Sequence, residues 1–413
     1  MVMLWNKDTS IIRSALETDV YKILMLYYIW TYYPYLKVKW AFKNRKVDIP
    51  LGKFISEDAL KEQLQAVTAL RFSDADIEYL RSWEMFSEPF LKKLQNIRLD
   101  MPHVSKRDDG QLVIEVSGTW FETTLSEIYI LAIVAELYLR GRAQVEGISE
   151  GALYDEGVRR LEQKIEFLNA HPILKFALFG LRRRASGPWE DFLTEQLLTK
   201  TQSVTGTSNV YLAKQFKVTP IGTNAHELPM AEYAVSRHMG PVAVRQSPYE
   251  VLRKWERLYG HKALIMLSDT FGTDAFLRDL PSDIAVKWQG HRQDSGDAVL
   301  IGEKIIADYE RRSIDPSEKR ILFTDGLDLE RMLKLHETFA GRIGVGFGIG
   351  TFISNDLGLI PALSIVMKLV EAAGNETVKL SDNIAKAMGS KDEVALAKKI
   401  FGYTNRFTQA TTY

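Results

Sequence analysis

From residue 217 onward, short apolar runs alternate with helix-forming stretches, and this rhythm constrains the fold more than any other feature of the chain. Strand-like runs fall at 217–222, 263–267, 284–288, 320–323, 342–347 and 363–370. Good helices separate several of them. The clearest covers 247–259, with Ser247 at the N-cap, Pro248 at the first helical position and Gly260 just past the end. Apolar strands joined by helices form parallel βα units, and six in succession favour a barrel over an open sheet.

Polar residues cluster where these runs end. Asn224 and His226 follow the first run, and Ser268-Asp269-Thr270 the second. Arg292, Asp294, Ser295 and Asp297 come next, then Thr324-Asp325-Gly326, then Gly348-Ile349-Gly350-Thr351. In an α/β barrel all of these positions share one face, where ligands bind. His226 can then serve as acid, base or nucleophile. Glu227, its neighbour, points the opposite way in extended backbone and is not its partner. Gly348 to Thr351 reads either as a tight turn or as a phosphate cradle of open amides and a hydroxyl. Asp269, Asp274 and Asp294 can help to hold Mg²⁺; no spacing suits a dedicated zinc site.

The first third reads as mixed α+β. Thr18 or Asp19 caps an aromatic-rich helix ending near Pro34, and Tyr21 in its first turn either packs or points out of the core. A strand is expected at 35–42, helices at 56–69 and 74–82, strands at 97–101 and 112–117, and a long linking helix at 124–138. A further helix covers 151–169. At 176–180 an apolar run meets Arg182-Arg183-Arg184, either a solvated turn or an anion site.

Charge and composition narrow the function. With 53 basic and 53 acidic residues the chain lacks the basic excess of a nucleic-acid binder. The absence of cysteine removes thiolate chemistry and disulfides and fits a reducing compartment. The first seven residues are too short and polar for a signal peptide, and the longest apolar run, 128–135, is far below the roughly 20 residues that span a bilayer. A cytoplasmic protein without membrane or nucleic-acid partners is expected.

Taken together, the motifs resemble the nicotinate phosphoribosyltransferase family. The resemblance rests on Thr18-Asp19-Val20-Tyr21-Lys22, Phe179-Gly180-Leu181-Arg182-Arg183-Arg184, Gly206-Thr207-Ser208-Asn209-Val210 and Gly222-Thr223-Asn224-Ala225-His226-Glu227. It continues through 269–274, 292–297, 323–327, 347–351 and 378–383, so nine motifs run in the family's order over nearly the whole chain. It implies an irregular α/β barrel of the type II phosphoribosyltransferase kind, at 126–378. A smaller α+β domain would occupy 1–125, joined by the tail from about 379 to 413. It also implies a homodimer with shared active sites, in which the tyrosine matching Tyr21 crosses the subunit interface.

The implied reaction joins nicotinate to 5-phosphoribosyl 1-diphosphate, with ATP hydrolysis coupled through a transient phosphohistidine at the position of His226. By the same resemblance, Tyr21 and Phe179 would sandwich the pyridine ring. Arg292 would pair with its carboxylate beside Thr223, and Arg182 would meet the diphosphate or the ring edge. Asp294 would lie near the ribose hydroxyls. Ser208, Asp325, Gly326, Gly348, Gly350 and Thr351 would take the phosphoribosyl group. Mg²⁺ would be held mainly by diphosphate, with help from Asp269 and Asp294. Leu181 and Leu228-Pro229 depart from the family pattern and bear on pocket shape. The rival readings are a nicotinamide-using enzyme and a catalytically silent phosphoribosyl-binding paralogue.

Overall fold

A computed structural model describes residues 4–409. Residues 1–3 and 410–413, the extremes of the two segments assigned to the smaller domain, lie outside the described residues. The strands are β1 (Lys37–Asn44), β2 (His103–Lys106), β3 (Leu112–Thr119), β4 (Phe176–Leu178), β5 (Val204–Thr207) and β6 (Ile265–Leu267). They continue with β7 (Gly290–Gln293), β8 (Arg320–Phe323), β9 (Gly344–Ile349), β10 (Ile365–Ala372) and β11 (Asn375–Glu376). They form two sheets: a five-stranded antiparallel one in the order β11-β10-β1-β3-β2, and a six-stranded parallel one in the order β5-β4-β9-β8-β7-β6.

The parallel sheet with its helices is the α/β unit that the alternation predicts, and it is irregular. Among the described residues no ladder joins β5 to β6. The run at 217–222 lies beside β5 but makes only one parallel bridge, Thr207 to Pro220. Lys217 turns into the left-handed region at φ 53°, and Pro220 has no amide to donate, so a full strand cannot form.

Three further expectations are corrected. The run at 284–288 is mostly helix, Ser282–Lys287, and the strand follows at Gly290–Gln293. Its polar letters hid it, yet all four residues are buried. The run at 363–370 supplies β10, which leaves the parallel series and pairs antiparallel with β1 over Val38–Asn44. The helix expected from 247 begins at Pro241, so Pro248 sits inside it, although Gly260 ends it as read. In the N-terminal third, the strand expected at 97–101 is replaced by β2, while the helices Glu57–Ala69 and Asp74–Arg81 and the strand β3 lie where they were read.

Helix Val20–Tyr32 and helix Ser126–Glu146 are buried nearly all round through their apolar stretches. A helix that is apolar on every side has no polar stripe to offer solvent, and burial is its stable place. No helix among the described residues is long and apolar enough to cross a membrane.

Candidate active site at the carboxyl ends of the parallel strands

Register places the candidate residues at one end of the sheet. Leu267 pairs with Arg292, Gln293 with Phe323, and Leu178 with Ile349. The residues that follow, 268–270, Asp294, 324–326, Gly350 and Phe179, therefore emerge side by side, as parallel strands require. All but 268–270 open on a cavity of about 550 Å³ lined by Tyr21, Phe179, Arg182, His226, Arg292 and Asp294, together with Asp325, Gly326, Gly348, Gly350 and Thr351.

His226 begins helix Glu227–Ser236 and is 7% exposed. Its Nδ1 lies 2.8 Å from Thr270 Oγ1. Its Nε2 is 2.9 Å from Lys379 Nζ, 3.1 Å from Asp294 Oδ2 and 3.4 Å from Asp269 Oδ1. Burial, and to a lesser degree Lys379, pushes the imidazole down to about 4 against the pull of the two aspartates. The ring is thus neutral near pH 7. Glu227, expected to point the opposite way in extended backbone, stands instead in the first turn of this helix and also lines the cavity, but does not pair with His226. It accepts from Lys22 Nζ at 2.5 Å, Trp120 Nε1 at 2.5 Å and Thr124 Oγ1 at 2.7 Å. These bonds tie its helix to the buried helix that carries Tyr21.

Arg292 and Asp294 form the second unit. Arg292 donates to Asp294 Oδ1 (2.8 Å), Thr324 Oγ1 (2.9 Å), Thr223 Oγ1 (3.2 Å) and the Asn224 carbonyl (3.3 Å). Thr324 also donates to Asp294 Oδ1 at 2.7 Å. Burial raises the Asp294 carboxyl, but Arg292, His226 and Lys379 outweigh it and hold it well below the ordinary range. Asp269 is fixed by Ser295 Oγ, while its Oδ1 is buried without a hydrogen-bond partner. That orphan oxygen, Asp294 and His226 offer ligand atoms that all lie within 4.8 Å of one another. Two carboxylates with room for substrate phosphate fit Mg²⁺; one imidazole and no thiolate do not make a zinc site.

The aromatic pair comes from helix Val20–Tyr32 and from the end of β4. Phe179 N donates to Ile349 O at 2.7 Å, which lays the Phe179 ring against Gly348. A Cβ at Gly348 would stand 2.6 Å from that ring, so the glycine makes the close approach possible. Tyr21 lies 6% exposed with its hydroxyl unpartnered, and Arg182 sits 5.9 Å over its ring. Tyr21 lines the cavity of this chain.

The arginine run divides. Arg182 lines the cavity with only long contacts, 3.6 Å to Asp19 and 3.7 Å to Glu127. Arg184 is fully buried between Glu17 and Glu190, so the run is no solvated turn. Asp19 stands at the N-cap of helix Val20–Tyr32 without capping it, because its carboxylate takes the Ser208 hydroxyl at 2.6 Å.

Several candidates stand apart from the cavity. Ser208 is occupied by Asp19 and does not line it. Asp297 caps helix Ala298–Arg311, and Asp274 is half exposed in a pair with Lys304. Two lysines join the site without any sequence signal for that role. Lys379 meets His226, and Lys386 pairs with Asp325. Lys379 belongs to the 378–383 motif, but nothing local to a surface-looking Val-Lys-Leu marks it as buried. Burial raises Asp325 against the pull of Lys386.

Comparisons with known proteins agree with this geometry. The model of the nicotinate phosphoribosyltransferase (NAPRTase) family matches residues 174–405, and that of its N-terminal domain residues 16–135. The chain is similar to the crystal structure of nicotinate phosphoribosyltransferase from Porphyromonas gingivalis, with a TM-score of 0.84, 30% identity and coverage of 95% of this chain and 100% of that one. It is also similar to the nicotinate phosphoribosyltransferase structure from Vibrio cholerae, with a TM-score of 0.87, 33% identity and coverage of 97% and 96%.

Proposed function

The chain belongs to the nicotinate phosphoribosyltransferase family and is an enzyme of that kind, and we propose that it transfers phosphoribosyl to nicotinate with coupled ATP hydrolysis, feeding NAD synthesis. The observation that carries this reading is the meeting of His226, the Arg292–Asp294 pair, two aromatic rings and a glycine-lined wall in one cavity. The nicotinate ring nitrogen attacks C1 of 5-phosphoribosyl 1-diphosphate. The bond from C1 to diphosphate oxygen breaks, and diphosphate leaves with the electron pair. Asp294, held ionised, faces the oxocarbenium-like charge that develops at C1.

Tyr21 and Phe179 offer apolar faces to the ring. Arg292 commits four of its five N–H donors within the protein, whereas Arg182 makes only long contacts. Arg182 is therefore the better-placed cation for the nicotinate carboxylate, with Arg292 holding Asp294 and Thr324. Gly326, Gly348, Gly350 and Thr351 would receive the 5-phosphate. Asp269 and Asp294 would hold Mg²⁺, which when bound neutralises diphosphate.

ATP enters through His226. The neutral ring takes the γ-phosphoryl group, forming a P–N bond as the P–O bond to ADP breaks, and water later removes it as phosphate. A homodimer with shared sites and a cytoplasmic location belong to the same proposal, carried by the family resemblance; sedimentation and cell fractionation test them.

The test is product analysis with nicotinate, the ribosyl donor and Mg²⁺, with and without ATP. Nicotinate mononucleotide and diphosphate should form, faster with ATP, and nicotinamide should compete poorly. Clear preference for the amide would sink the acid assignment. His226→Ala should abolish coupled ATP hydrolysis while slow ATP-independent transfer persists. Normal ATP stimulation in that variant would refute the phosphohistidine.

A further inference from the structure

Three groups crowd one ring nitrogen, and they make incompatible demands on it. His226 Nε2 has Lys379 Nζ at 2.9 Å, Asp294 Oδ2 at 3.1 Å and Asp269 Oδ1 at 3.4 Å. A carboxylate can only accept a hydrogen bond and an ammonium can only donate one. If Nε2 carried the proton it would suit the aspartates, but its N–H would face the shortest neighbour, N–H against N–H. If Nε2 is bare, Lys379 donates to it, and the ring proton must lie on Nδ1. There Thr270 Oγ1 waits at 2.8 Å to accept it.

We propose that Lys379 is a positioning residue that holds His226 in its Nδ1–H form, by donating to the Nε2 lone pair while Thr270 accepts the Nδ1 proton. Lys379 and Arg292 also face Asp269 and Asp294 around the ring. Removing Lys379 would leave two carboxylates facing Nε2 and draw the proton onto it.

The backbone builds donor and acceptor as one piece. The two residues after Lys379, Leu380 and Ser381, both donate their amides to the Thr270 carbonyl, at 2.8 and 3.3 Å. Lys379 is further fixed by paired backbone bonds with Met388, at 3.0 and 2.8 Å. The segment that presents the ammonium to one ring nitrogen is thus clamped to the residue that serves the other. The Thr270 hydroxyl can donate or accept and so fits whichever tautomer the ring adopts, and the choice is set by Lys379 at the other nitrogen.

The consequence for catalysis rests on the proposed ATP coupling: an Nε2 that carries no proton can accept a phosphoryl group once Lys379 withdraws its hydrogen bond, with no deprotonation of the ring needed first. Lys379 would act through the ring and not on the nucleobase.

The test is long-range ¹H–¹⁵N spectroscopy on the full chain with ¹⁵N-labelled histidine, in the absence of nucleotides. The chain has seven histidines, so the signal of His226 is assigned by its loss in His226→Gln. The wild-type ring should show the Nδ1–H pattern. Lys379→Met should shift it toward Nε2–H, and Lys379→Arg, which keeps a cationic donor, should retain Nδ1–H. An Nε2–H wild-type ring, or an Nδ1–H pattern that survives Lys379→Met, would overturn the proposal. Transfer of label from γ-³²P-ATP to His226 should slow at least tenfold in Lys379→Met, with the KM for nicotinate nearly unchanged. An unchanged labelling rate would also count against it. If the wild type takes up no label while its ring is Nδ1–H, the phosphohistidine reading fails and the tautomer assignment stands.

Discussion

Two regions of this molecule bury several charges together, and only one of them is a site. Around Arg184 the charges close on themselves. Its guanidinium donates to Glu17 at 3.0 and 3.1 Å, to Glu190 at 3.0 Å and to the Ile11 carbonyl at 3.0 Å, leaving only Nε without a partner. Glu17 also takes Arg13, and Glu190 also takes Asn209. Around His226 the charges are largely buried too, but His226, Arg292, Asp294 and Lys379 line a cavity. Behind them Asp269 Oδ1 and the side-chain carbonyl oxygen of Asn224 are buried without partners. Burial of charge marks neither structure nor function by itself. Charged side chains that line an open volume mark the site.

The sharpest way to break this contrast is Arg184→Met. It leaves Glu17 and Glu190 buried without their shared cation, and loss of one partner of such a pair costs about 3–5 kcal/mol. Urea denaturation should show that loss, while molecules that remain folded keep their turnover, because Arg184 does not line the cavity. An unchanged denaturation midpoint would mean that the nest is dispensable. Asp294→Asn should invert the pattern. Turnover should fall roughly 10²-fold, the scale of losing one preorganised electrostatic group, with little change in the urea midpoint.

Arg182, Arg183 and Arg184 show how far the sequence could be read. Three like letters in a row carry no sign of which one turns inward, since that depends on Glu17 and Glu190, far apart along the chain. His226 was legible because it follows an apolar run and because other polar run-ends converge with it. Its partners were not. Thr270 is one of many hydroxyls, and Lys379 comes from beyond the last parallel strand. The same blindness hid β7, whose Gly-His-Arg-Gln reads as loop until His291 is found wedged between Phe276 and Tyr309. It also misplaced β10, because an apolar run does not reveal which sheet will receive it.

The two regions should also answer pH with opposite sign. Burial raises Glu190 from 4.5 to about 7, so the folded chain binds more protons than the unfolded one between those values. Its share of stability therefore falls as pH rises through that window. His226 is lowered from 6.5 to about 4, so its share is complete above 6.5 and is lost as pH falls toward 4. Urea midpoints from pH 4 to 8 in metal-free buffer should lose the descending component in Glu190→Gln and the low-pH loss in His226→Asn. Identical profiles in both variants and the wild type would remove the distinction.

The smallest expected effect is also the most selective. The Tyr21 hydroxyl, like that of Tyr309, is buried with no hydrogen-bond partner, whereas Tyr28, Tyr129 and Tyr249 all find one. Tyr21→Phe keeps the ring and removes only the orphan group. With nothing bound, relief of that unmet polar atom should leave stability unchanged or raise it, by up to about 1 kcal/mol. Stacking on the ring face survives, so the KM for the donor should not move. If the hydroxyl is held in reserve for the pyridine ligand, the KM for nicotinate alone should rise a few-fold. A variant that is more stable yet binds nicotinate less well would place Tyr21 with His226 among residues that keep their bonding capacity for the ligand. A variant that is destabilised, with both KM values raised together, would place it with Arg184.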